Sequence, residues 1–111
     1  MITVAVLIEP KYAENTQTTQ YTSTGVITII DKFTATNISA TAATLSVNLV
    51  ASAGSAANTN LIVKTKTLQP AETYTFPELV GVAMVPGGFI STLASAATSI
   101  NIRANGREIT S

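Results

Sequence analysis

A chain of 111 residues is the size of one domain, and burial of about two-thirds of its surface leaves roughly 5,800 Å² exposed once folded. Cysteine and histidine are both absent, which excludes disulfides, thiol nucleophiles, Cys or His metal sites and the usual imidazole base. Six basic residues balance six acidic ones, so there is no basic field to draw nucleic acid or an anionic membrane surface.

The charges are few and unevenly spread. Only 11% of residues are charged, where roughly a quarter is usual. Residues 33–63 carry no charge, and neither do residues 79–102, while Ser and Thr are abundant throughout. A neutral, hydroxyl-rich surface protects a free monomer poorly against association, which points to a subunit that works docked in an assembly. Leu, Ile, Val and Phe are too frequent for disorder. The charge-free stretches are too broken by Asn, Ser, Thr, Pro and Gly to span a membrane. Residues 1–8 lack the basic region of a secretory signal, so synthesis in a cytoplasm is expected.

In chain order, the periodicity is almost everywhere 2, the spacing of half-buried strands. Ile2, Val4, Val6 and Ile8 alternate with Thr3, Ala5 and Leu7, predicting a strand over 2–8. Residues 9–20 are polar, carry Pro10 and lose the alternation. They read as a surface loop, or as an arm that orders on a neighbour. Strands are predicted over 21–30, 32–38 and 43–51, the last from Leu45, Val47 and Leu49 alternating with Ser46 and Asn48. A small-residue loop fills 51–59, and a strand follows over 60–68. Gln69-Pro70-Ala71-Glu72 is a turn with proline pre-setting φ. Strands over 72–76 and 80–85 are separated by a short helical turn near Pro77. Pro86-Gly87-Gly88 introduces a last strand region, 89–104, continuing to 107–110. Thr, Val, Ile and Tyr dominate these runs and favour a pleated surface.

The sharpest local expectation is a hairpin at Asn105-Gly106, a pair suited to a two-residue type I′ turn. It would set Arg103 opposite Glu108 on the exposed face and Ile102 opposite Ile109 on the other. Short strands with recurring turns predict an all-β, single-domain antiparallel β-sandwich over 1–111, jelly-roll-like, with an immunoglobulin-like strand order as the second choice.

The residues offer little chemistry. Glu9, Glu14, Asp31, Glu72, Glu78 and Glu108 show no spacing that pairs them for acid–base work. One Asp is too few for an oxygen-ligand calcium site, and Gly87-Gly88 lacks the pattern of a phosphate loop. No catalytic, metal or cofactor residue and no small-molecule substrate is assigned, and the chain does not read as an enzyme. Asn37-Ile38-Ser39 matches a glycosylation triplet. Tyr74 and Phe76 lie on one face of a strand and suit core or interface packing. Glu9, Pro10, Lys11 and Tyr12, with Tyr74 and Phe76, are the candidate interface residues.

The order of these units resembles the small β-sandwich virion proteins of tailed bacteriophages. The units that carry the likeness are Leu68-Gln69-Pro70-Ala71-Glu72-Thr73-Tyr74, Pro86-Gly87-Gly88-Phe89-Ile90-Ser91 and Gly106-Arg107-Glu108-Ile109. The likeness covers residues 33–110 and is a pattern of turns and strands. Within that group the chain is most similar to the capsid decoration (cement or staple) proteins of epsilon 15-like short-tailed phages. The resemblance implies a jelly-roll-like sandwich on the outer capsid surface, made in the bacterial host cytoplasm. It also implies contact with the major capsid protein as a homodimer, and stabilisation of the shell. A tail, neck or fibre-associated structural or receptor-binding subunit is the alternative.

Overall fold

The computed structural model describes residues 1–110. Nine strands form two antiparallel sheets: β1 (Ile2–Tyr12), β2 (Thr18–Thr22), β3 (Ile27–Asn37), β4 (Ala43–Val50), β5 (Leu61–Leu68), β6 (Thr73–Tyr74), β7 (Ala83–Met84), β8 (Phe89–Ala94) and β9 (Ile100–Ile109). The first sheet runs β1-β9-β3-β6, with β7 also on β3, and the second runs β2-β8-β4-β5. The pairs are nested: β1 with β9, β2 with β8, β3 with β6 and β7, and β4 with β5. Successive pairs fall in alternate sheets, and β9·β3 and β8·β4 join them. A folded-over antiparallel ladder rolled in this way is a jelly roll, and its strand order differs from the ABED/CFG order of an immunoglobulin domain.

The two inner faces meet over Ile30, Phe33, Leu45, Val47, Leu68, Phe76, Leu79, Ile90, Ile100 and Ile102, all fully buried. Phe33 and Phe76 pack edge-to-face at 5.0 Å, and Tyr74 meets Phe76 in the same way at 4.7 Å. The exposed surface totals 5669 Å², close to the roughly 5,800 Å² expected from chain mass. Among the described residues every buried side-chain N or O has a partner. Asn37 sits in the core with Nδ2 donating to the carbonyls of Thr41 and Leu68, both at 2.9 Å. Its Oδ1 accepts from Ser39 N and Oγ. With both amide hydrogens committed and the side chain buried, the folded chain presents no glycosylation acceptor at the Asn37-Ile38-Ser39 triplet.

The expected proline turns are present. Glu72 N donates to Gln69 O with Ala71 at φ +66, and Gly88 N donates to Val85 O with Gly87 at φ +89. Both are turns with a positive φ at the third position.

Several boundaries differ. The break expected between 30 and 32 is a bulge: Asp31 is the extra residue of one continuous β3. The real break lies at 23–26, where Gly25 takes φ +69. The short helical turn expected near Pro77 is a pair of consecutive turns, with Leu79 N donating to Phe76 O and Val80 N to Pro77 O. The expected strand 89–104 divides at 95–99, with Thr98 at φ +51.

The largest correction is at Asn105-Gly106. No hairpin forms there; β9 runs straight through both residues, paired with β1 on one side and β3 on the other. Arg103 points outward, whereas Glu108 is partly buried and accepts from Tyr21 Oη at 2.5 Å. They are therefore not a cross-strand pair. Both flanking strands bulge at this point, β1 at Leu7 and β3 at Asp31. Gly106 is needed for a different reason from a turn: a Cβ added there would lie 2.1 Å from the Ile29 carbonyl oxygen. Tertiary pairing on two sides outweighs a local turn preference.

Candidate functional site

Residues 9–20 are mostly strand. Glu9 to Tyr12 prolong β1, with Lys11 opposite Ile102 and Tyr12 opposite Asn101, and Thr18 to Gln20 open β2. The expected loop or arm shrinks to 13–17. Ala13 N is bound to Ile100 O, and Gln17 Nε2 to Ser91 Oγ at 2.7 Å. Lys11 and Glu14 form an ion pair at 2.8 Å. With Gln20 also donating to it, Lys11 holds the Glu14 carboxyl below its ordinary value.

The six expected interface residues do not gather into one site. Glu9, Pro10 and Tyr12 are exposed and Lys11 is half-buried, all on the edge strand β1. Tyr74 is on the opposite edge of the same sheet, three strands away. At about 4.8 Å per strand, that is roughly 14 Å. Phe76 is 0% exposed and belongs to the core, which corrects its assignment to an interface. Its backbone takes φ +44, and its ring packs edge-to-face on both Phe33 and Tyr74. The Tyr74 hydroxyl donates to the Glu78 carboxylate at 2.7 Å, which raises the phenol's pKa and lowers that of Glu78. Lys66 Nζ lies over the Tyr74 ring.

The feature not anticipated is the outer face of the first sheet. Ile2, Val4 and Val6 point to solvent, exposed by 62%, 79% and 60%. Ile8, expected on their face, is 2% exposed. The extra residue Leu7 reverses the alternation, so the four aliphatics divide between the two sides of the sheet. Across the strands, Ile2 stands beside Ile109 and Ile27, and Val4 beside Arg107 and Ile29. One cation lies within this aliphatic face. Arg107 donates through Nε and Nη2 to both oxygens of Asp31 at 2.9–3.2 Å. Asp31 raises the pKa of the guanidinium and cancels its charge. Lys32 and Arg103 mark the polar end of the face, both exposed.

Elsewhere the polar groups are occupied with one another. In the hollow on the second sheet, Asn48 Nδ2 donates to Asn60 Oδ1 at 2.7 Å and to Ala57 O at 3.0 Å. Inside the sandwich, Tyr21, Thr28, Ser23 and Glu108 form one connected network. Burial and the Glu108 carboxylate push the Tyr21 hydroxyl's pKa up. Among the described residues no three His, Cys, Asp or Glu side chains group as metal ligands do.

Fold and surface together define a class: a jelly-roll sandwich with a filled interior and an exposed, charge-cancelled aliphatic face. No protein-family model, curated protein or solved structure matches the chain.

Proposed function

We propose that this protein is a structural virion subunit that docks on the outer surface of an assembled phage capsid and stabilises it, with the major capsid protein as partner. The observation that carries the reading is the aliphatic face of Ile2, Val4, Val6 and Ile27, with half-buried Ile109 between them, left open on the first sheet. Contiguous exposed apolar surface on a small domain is a contact surface in search of a partner. The jelly-roll order and the resemblance described above support placing that partner in a virion. The mechanism is mass action: a subunit that binds only the closed shell stabilises it by its binding free energy, summed over many copies.

Because the one cation within the face is already paired with Asp31, attachment relies on apolar contact and depends weakly on salt. Co-sedimentation with undecorated capsid shells tests this. Saturable binding at a fixed copy number, retained in moderate salt, is the expected outcome. Recovery with tail fractions alone would move the protein to the tail or neck, and recovery with neither would end the virion reading.

A further inference from the structure

Where the resemblance implies a homodimer without saying how its copies meet, we propose that two copies of this chain associate edge to edge through β1, antiparallel, with Val4 on the two-fold axis. A comparison of the four sheet edges leads there, and it holds wherever the protein resides. An open strand edge is a template for another strand unless it is short, bulged or charged. On the far side of the first sheet, β6 and β7 are two residues each. In the second sheet, β2 is five residues with an irregularity at Gln20. β5 is interrupted between Val63 and Lys66, with Thr65 at φ +48 and Lys64 and Lys66 beside it. Only β1 has none of these protections over its first five residues: the register to β9 is regular from Ile2 to Val6, and residues 1–8 carry no charged side chain.

The hydrogen-bond parity specifies which groups are free. Met1 and Thr110 exchange both backbone bonds at 2.9 Å. In an antiparallel ladder such pairs alternate with unbonded ones. Thr3 and Ala5 therefore bond to β9, and the N–H and C=O of Ile2, Val4 and Val6 point to the open edge. These are also the residues whose side chains are most exposed on the outer face.

A second copy fits this edge without conflict. With Val4 opposite Val4, Ile2 faces Val6 of the second copy and Val6 faces its Ile2. All three free residues then exchange both bonds, and β-branched side chains meet across the junction, a favourable cross-strand pairing. No charge faces a like charge. Glu9, Pro10 and Lys11 fall beyond the paired segment, and Pro10 has no N–H to extend it. The result is an isologous contact in which the aliphatic faces of two copies become continuous. About 17 Å of paired strand buries less than the roughly 800 Å² per partner of a standard interface, which places the association in the weak, micromolar class.

Sedimentation equilibrium of the full chain over a concentration series tests the proposal, with Val4→Lys and Val4→Glu as variants. Val4 is solvent-facing, so both variants should fold, which circular dichroism checks. Each variant alone sets like charges together on the two-fold axis and should weaken association at least about tenfold. An equimolar mixture of the two should restore it, because residue 4 meets residue 4. Ile62→Lys, on the β5 edge, should change nothing. A monomeric wild type, an unaffected Val4→Lys, or a mixture as weak as its components would overturn the proposal. Loss of association by Ile62→Lys would overturn it as well.

Discussion

Replacing Gly106 by alanine separates the continuous strand from the hairpin that Asn105-Gly106 suggests. In β9 the added Cβ would stand 2.1 Å from Ile29 O and 3.1 Å from Leu7 Cδ1. A carbon reaches a carbonyl oxygen comfortably at about 3.3 Å, so β3 must withdraw by roughly 1 Å. Ile30 directs its backbone groups to Gly81 and Val82, so Ile29 is the residue bonded to β9, opposite Arg107. A withdrawal of that size breaks those bonds, at about 1 kcal/mol each. It also displaces Ile30 and Phe33, both fully buried, for a further 1–3 kcal/mol. Gly106→Ala should therefore cost about 3–5 kcal/mol, against roughly 5–15 kcal/mol for a whole domain. Asn105→Ala, at an exposed strand position, should stay within about 0.5 kcal/mol. In a type I′ turn both residues would need positive φ, and each alanine would cost a similar 1–2 kcal/mol. Urea denaturation of the two variants reads the difference. Equal, modest losses would refute the continuous strand.

Three further outcomes follow from the same geometry. Asn37→Ala leaves two carbonyls and the Ser39 donors without their partner and should cost about 3 kcal/mol in urea; under 1 kcal/mol would show those bonds to be dispensable. The Glu14 carboxyl is held below the ordinary carboxylate range by Lys11, so its folded-state pKa is depressed. Its contribution is present above the unfolded value and is lost as pH falls through the folded one. The stability difference between wild type and Glu14→Gln should accordingly be small, as for a surface pair, present at pH 6 and gone in strong acid. A difference that grows on acidification would contradict this. Deletion of residues 1–12 removes β1 and uncovers β9, so the truncated chain should lose its strand signal in circular dichroism. A well-folded truncated protein would mean that β1 is an appendage.

The all-β character, the proline turns at 70 and 86 and the strands around 43–51 and 60–68 were legible in the sequence. Each rests on local chemistry: period-2 alternation, β-branched side chains, and fixed φ at proline. The face that β1 presents was not legible. Alternation says which residues share a side of a strand and is silent on which side is covered. One bulge residue, Leu7, then moved Ile8 away from Ile2, Val4 and Val6. The alternation with Thr73 and Thr75 put Tyr74 and Phe76 on one side, and they do pack together, but only the tertiary structure made Phe76 core rather than surface. At Asn105-Gly106 a turn preference worth about a kilocalorie yielded to bonds with β1 and β3 on both sides. The sequence alone thus determined that the chain makes short antiparallel strands and where most of them turn. Only the tertiary structure decided their nesting into a jelly roll and which aliphatic face remained open, because both depend on contacts between residues far apart in the chain.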